Sequence, residues 1–256
     1  MHCNNIDFSF GNSYDRNKAI LLLLSRLKPI LLLVEEIEMD IRYVIKKLPE
    51  NISRMPLIGE FIPEQIPQPW SSLDEAMLAS NPWLHLDSDY MPNCAARVGW
   101  NAAGIHVLMY AEEPFIRAQE TTVGGNICQD SCLEFFLAPN EEKVKYINCE
   151  ANPLAIMHIG LGDGRYGRSV FTEIPAGFEP VSSQHAGRWW AVSYTIPANF
   201  LQEHFDCVPH SGAHVRGNFY KCGDRERHIH HLMLHPYDIE KPDYHRPELF
   251  ADMILE

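Results

Sequence analysis

The sequence predicts an all-β fold: two antiparallel sheets packed face to face as a sandwich of the immunoglobulin-like or jelly-roll type, with few short helices. Three observations carry this. Runs of five to nine residues alternate with period two and are rich in β-branched and aromatic side chains. Gly, Pro, Asn and Asp punctuate them. No helical pattern alternates with the runs and no internal repeat is present, so a parallel βαβ architecture is not expected.

Taken in order, the chain opens on AILLLLSRLKPILLLV (19–34), which Arg26, Lys28 and Pro29 divide into halves too short for the roughly 20 residues that span a bilayer. EEIEMD follows where a signal peptide would carry a small-residue cleavage site. Residues 1–38 are therefore expected to be an extension, either a leader or a misassigned start ahead of Met39, and 39–256 one domain. Without a clear signal peptide the expected location is cytoplasmic; it becomes extracellular if 19–34 acts as a leader.

Strands are predicted at CAARVGW (94–100), GIHVLMYA (104–111), SCLEFFLA (131–138), VKYINCEA (144–151), LAIMHIGLG (154–162) and WWAVSYTI (189–196), with a last one in LFADMIL (249–255). Turns fall at NAAG, APNEEK, NP and GDG between them. DEAMLAS (74–80) and PANFLQEHF (197–205) are the best short helices.

Charge narrows the partners. With 21 Lys and Arg against 34 Asp and Glu, the formal charge is −13, and no basic stretch offers a stripe for phosphates. Neither nucleic acid nor an anionic membrane is an expected partner. The seven cysteines form an odd, scattered set without CxxC, as expected of buried free thiols. Cys128 and Cys132 alone could approach each other, at a spacing too extended for a disulfide within one strand.

Alternation also assigns faces. In VKYINCEAN, Tyr146, Asn148, Glu150 and Asn152 share one side; Glu134 is expected on the same sheet surface, with His158 a neighbour. A face of Tyr, Asn, Glu and His is either an ordinary solvated sheet face or a match for sugar hydroxyls. HIHH (228–231), read as a strand, places His228 and His230 on one side, near Cys222, His235 and His245 in sequence. HExxH, HxHxD and cysteine pairs are all missing, so no metal site is predicted. No GxSxG motif occurs, VGGN (123–126) is not a P-loop, and the only catalytic reading left is a hydrolase using Glu134 and Glu150 as acid and base.

Several segments in order carry a resemblance: Trp70 followed by NPW ending at Trp83; ARVGWNAAGIHVLMYAEEP; QDSCLEFFLAP; YINCEANPLAIM; WWAVSYTIP; and NFYKCGD with PDYHRPELF near the end. Together they resemble the carbohydrate-binding module family 9-like domain, a DOMON-like β-sandwich, over about residues 70–255. The resemblance implies noncatalytic binding of oligosaccharide or polysaccharide, linked to xylan and plant-polysaccharide utilisation, with no cofactor except a structural calcium in some members. The tryptophan pair that sandwiches sugar in better-known members has no residue-by-residue match here. Exposed Trp100 or Trp189 is the expected platform, with Arg97, Tyr146, Asn148, Glu150 and Asn152 as hydroxyl partners. Trp70, Trp83, Glu134, Asn218, Tyr220, His245 and Arg246 are the framework positions, and Arg246 is expected to pair with Asp243 or Glu248 while His245 braces a strand. A hydrolase or a protein-interaction sandwich are the alternatives.

Overall fold

The alternating runs fold as strands. In the computed structural model, which describes residues 42–86, 88–140, 144–185 and 188–256, they are β1 (Tyr43–Lys47), β2 (Ala76–Met77), β3 (Asn93–Asn101), β4 (Gly104–Glu112), β5 (Cys132–Ala138), β6 (Tyr146–Ala151), β7 (Met157–Gly162), β8 (Ser169–Val170), β9 (Val181–His185), β10 (Trp189–Pro197), β11 (His214–Cys222), β12 (His231–Met233) and β13 (Ala251–Leu255). Among the described residues one α-helix, α1 (Ala198–Phe205), follows β10. All belong to the compact unit Ile41–Glu256. The expected extension over 1–38, with its leader and its alternative start at Met39, lies outside the described residues.

Pairing runs β8-β7-β6-β5-β11-β13-β1 in a first sheet and β1-β3-β4-β10-β9 in a second, with β12 on β11 and β2 on β3. The single strand β1 joins the two: Tyr43–Ile45 pair in parallel with β13, while Lys46 and Lys47 pair in parallel with β3. The other strand pairings are antiparallel. The β3–β4 hairpin turns through Ala102 and Ala103 into Gly104, whose φ of +146° and closeness to the backbone of Ile196 leave no place for a Cβ.

Inward side chains make the sandwich core. Leu133, Phe135, Leu137, Ile147, Cys149 and Phe219 of the first sheet join Val98, Val107, Met109, Trp190, Val192 and Ile196 of the second. Each large apolar side chain buried this way contributes about 1.5–3 kcal/mol.

Both outer faces are covered as well. Over the second sheet, Leu48, Met55, Phe61, Ile66, Trp70 and Leu73 pack on Ala95, Leu108, Tyr110 and Ala191. Over the first, Trp83, Tyr237, Tyr244 and Phe250 pack on Phe136, Tyr146, Tyr220 and Cys222. The face read as either solvated or matched to sugar hydroxyls is largely buried: Tyr146, Asn148 and Asn152 are inaccessible and Glu150 is 7% exposed.

Two other expectations change. DEAMLAS is not a helix; Ala76 and Met77 pair with Ala96 and Ala95 of β3, and Ser80 bridges to Met233, so sheet hydrogen bonds outweigh local helix propensity. Cys128 sits in a single 3₁₀ turn, Ile127–Gln129, rather than on a strand face with Cys132. Cys94, Cys128, Cys132, Cys149, Cys207 and Cys222 are free thiols.

Candidate carbohydrate site

Register brings the polar residues of the first sheet into rows. Tyr220 of β11 pairs with Glu134 of β5, Glu134 with Glu150 of β6, and Glu150 with His158 of β7. The next row runs Asn218, Phe136, Asn148 and Gly160. Side chains directly opposite across a strand pair are neighbours, so Glu134 and Glu150 stand side by side.

Their surroundings set their charge. Burial first, and then the Glu150 carboxylate, hold Glu134 well above the usual carboxylate range; Cys222 opposes this by donating to its Oε1 at 2.9 Å. Burial also raises Glu150, against the pull of His158 and a hydrogen bond from Asn148 Nδ2 at 2.7 Å. A glycosidase pair flanks the scissile bond from two directions. These two acids instead project together from neighbouring strands onto one floor.

The stretch KPDYHRPELF closes over that floor. Pro242 and Pro247 restrict its path, and three contacts hold it, two to the sheet and one to Tyr237 of the covering layer. The Tyr244 ring stacks on Tyr220 at 3.9 Å between centroids; Tyr237 OH donates to Asp243 O at 2.9 Å; and Tyr146 OH lies 2.8 Å from His245 Nδ1. His245 does brace a strand, β6, and burial, followed by the nearby Arg168 and Arg165, lowers its pKa to about 3. The ring therefore stays neutral at physiological pH. Arg246 pairs through Nε with Glu248, one of its two expected partners, at 2.6 Å on the surface.

Between floor and loop lies a cleft of about 130 Å³. Cys128, Glu134, Glu150 and Cys222 line its base, and Arg165, Asp224, His231, Pro242, Asp243, Tyr244 and His245 its walls. Arg165 pairs with Asp243 at 2.9 Å, and both also border an open trough of about 530 Å³ shared with Asp163, Tyr166, Lys241, Arg246 and Glu248. Tyr166 is 85% exposed. It offers a ring face beside charged hydrogen-bonding groups, the arrangement that suits a pyranose.

The turn GDGRYGRS between β7 and β8 supplies this wall. Gly160, at the end of the Asn148 row, leaves room where a Cβ would come within 2.6 Å of Asn148 Oδ1 and 2.7 Å of Arg168 Nη2. Arg168 in turn lies over the Tyr146 ring, 4.8 Å from its centroid, and donates to its hydroxyl. Sequence reading singled out none of Arg165, Tyr166 or Arg168. An aromatic between two arginines in a glycine-rich turn is the signal that marks them.

The other expected contacts are dispersed. Arg97, Trp100 and Trp189 belong to the second sheet. Trp100 is 4% exposed in the sandwich core, its indole N–H donating to Glu256 O at 3.0 Å, so it is no exposed platform. Arg97 pairs with Glu75 at 3.1 Å and donates to Leu73 O. Trp189 is half-buried against the layer containing Tyr110. On the first sheet, Asn152 is occupied structurally: its Nδ2 donates to Glu120 O and Asp130 Oδ2, and its Oδ1 accepts from the amides of Leu154 and Ile156.

The framework positions hold the covering layers. Trp70 is buried over the second sheet. Trp83 donates from Nε1 to Ile239 O at 2.8 Å, and Asn218 clamps His235 through its amide and carbonyl at 3.0 and 2.9 Å.

The histidines of HIHH do not share a strand side, because β12 begins only at His231. His230 instead joins a buried cluster. The ammonium of Lys221 lies 3.0 Å from Glu113 Oε1, 3.4 Å from Glu226 Oε1 and 2.8 Å from His230 Nε2. Burial pulls the Lys221 pKa down, but the two carboxylates outweigh it and raise it; burial, with the ammonium adding to it, lowers His230 to about 2. Lysine supplies the cation that these acids need.

Residues 71–255 match the profile of carbohydrate-binding family 9. The chain belongs to that family. Among solved structures, this family 9 chain is similar to a protein from Bacteroides uniformis provisionally assigned to carbohydrate binding, with a TM-score of 0.67 and 23% identity over 83% of this chain and 98% of that one. It is also similar to a family 9 module from Caldicellulosiruptor kristjanssonii in complex with cellotriose, with a TM-score of 0.56 and 11% identity over 84% of this chain and 93% of the other. The glucose complex from the same organism gives a TM-score of 0.53 and 11% identity over 83% and 95%. At these identities the likeness is one of fold. No curated protein matches.

Proposed function

We propose that this family 9 domain binds carbohydrate without catalysing its cleavage, in the cleft and trough walled by GDGRYGRS and KPDYHRPELF. The observation that carries the reading is the exposed ring of Tyr166 beside Arg165, Asp243 and Lys241 in the trough that adjoins the carboxylate-floored cleft. A pyranose stacks its C–H face on the ring, and its hydroxyls donate to Asp243 and Glu150 and accept from Arg165. Family membership supports the reading, as do fold relatives whose structures hold cellotriose and glucose.

The ligand class is an oligosaccharide of plant polysaccharides, with cello- and xylo-oligosaccharides the first to test. Hydroxyls that exchange water for protein partners gain little each, so affinity is modest and rests on the stacked ring. Calorimetric titration with glucose, cellotriose and xylotriose tests this. Saturable heat with at least one sugar, and no released reducing ends on prolonged incubation, is expected. Absence of heat with a wider panel of plant oligosaccharides, or steady hydrolysis, contradicts it.

A further inference from the structure

A second constellation shares the outer face of the first sheet. Cys222 of β11 pairs directly with Cys132 of β5 on one side and with His231 of β12 on the other, so His231, Cys222 and Cys132 form one row across three strands. Glu134, two residues beyond Cys132, points to the same side. The two sulfur atoms and a carboxylate oxygen of Glu134 all lie within 4.8 Å of one another, and all three residues are buried. Glu134, Cys222 and His231 also border the cleft, which opens the cluster on one side.

Zinc bonds thiolate sulfur at about 2.3 Å and carboxylate oxygen at about 2.0–2.2 Å, so tetrahedral ligands on one ion lie roughly 3.3–3.8 Å apart. Cys222 Sγ and Glu134 Oε1 are 2.9 Å apart and no pair among the three ligand atoms exceeds 4.8 Å, so shifts of about an ångström, outward for the first pair and within reach of side-chain rotation, would set the three atoms around one ion. Two sulfurs select a zinc-class cation over calcium or magnesium, which take oxygen ligands. The row also includes a histidine whose Nε2 lies 3.1 Å from Asp224 Oδ1, a carboxylate–imidazole contact of the kind that orients groups around metal centres.

We propose that Cys132, Cys222 and Glu134 bind one zinc-class divalent cation, with its fourth position open to the cleft. Two thiols each release a proton to solvent as their sulfurs bond the ion, and Glu134 releases its own when it carries one. No oxidation state changes. The inference stands apart from the sugar reading, because it is tested with the metal alone.

The test uses the full chain, reduced and stripped with chelator. Cobalt(II) titration is expected to give thiolate charge-transfer absorption that saturates at one equivalent and is displaced by zinc. Cys222→Ser and Cys132→Ser are each expected to lose that absorption at one equivalent, and Glu134→Gln to weaken binding by more than the roughly 10–100-fold that loss of an outer-shell partner costs. Absorption that is missing from the wild type, or that survives Cys222→Ser, overturns the proposal. Should the serine variants fail to fold, X-ray absorption on the zinc-loaded wild type decides. Two sulfur scatterers at about 2.3 Å are expected; a shell of oxygen and nitrogen alone overturns the assignment.

Discussion

The ring of Tyr244 lies flat on that of Tyr220, with centroids 3.9 Å apart and planes within 13° of parallel. This stack fastens the proline-bounded loop to β11, and so sets the wall of the cleft. Tyr244→Ala removes a buried aromatic and is expected to cost about 3–5 kcal/mol of stability. Tyr244→Phe should cost much less. Urea denaturation of the two variants measures the difference; equal losses would detach the loop's stability from the stack.

Gly160 makes a second close approach. A methyl group there meets Asn148 Oδ1 and Arg168 Nη2 at under 3 Å, and both side chains are held in place through their other nitrogens, Asn148 Nδ2 on Glu150 and Arg168 Nη1 on the Tyr146 hydroxyl. Gly160→Ala is expected to lower stability by about 1–3 kcal/mol. Thermal melting checks it, and an unchanged melting temperature would mean that Arg168 moves aside freely.

The buried cluster around Lys221 gives two linked outcomes. Lys221→Met leaves Glu113 and Glu226 without their cation and is expected to cost about 3–5 kcal/mol. Replacing Glu113 by Leu in the same chain should restore part of the loss. A double variant no more stable than the single one would argue against the pairing.

The same cluster predicts a pH dependence. Burial raises Glu226 from the usual 4.5 to about 7, although Lys221 pulls the other way. The folded state then holds a proton that the unfolded chain gives up at lower pH. The contribution is fully present below about pH 4.5 and is lost as pH rises through about 7. Glu226→Gln should flatten the fall in stability across that window. Denaturation at a series of pH values checks it, and parallel curves for variant and wild type would contradict it.

Much of the architecture was legible from period-two patterning. Six runs and the final LFADMIL became strands, and PANFLQEHF became α1, because side-chain alternation and local propensity agree with the sheet they enter. DEAMLAS misled because its composition favours helix while β3 offers it hydrogen bonds from a distant part of the chain. The shared face of Tyr146, Asn148 and Glu150, and the neighbourhood of Glu134 and His158, followed directly from parity. What parity does not encode is the cover. Trp83 and residues 237–250 lie far along the chain from β6, and they turn an apparently wet face into a cleft floor. For the same reason Trp100 read as exposed at a hairpin mouth and proved buried, whereas Tyr166 sat unremarked in a turn.

Hydrogen–deuterium exchange of the wild type with and without cellotriose, or whichever oligosaccharide gives binding heat, locates the bound sugar without mutation. Sugar in the trough slows exchange in residues 162–169 and 241–248, and this protection is expected to shrink in a Tyr166→Ala variant whose affinity falls about tenfold, equivalent to about 1.4 kcal/mol, at unchanged stability. Protection confined to β3 and β10 around Trp100 and Trp189, with none in the two cleft loops, would contradict this placement.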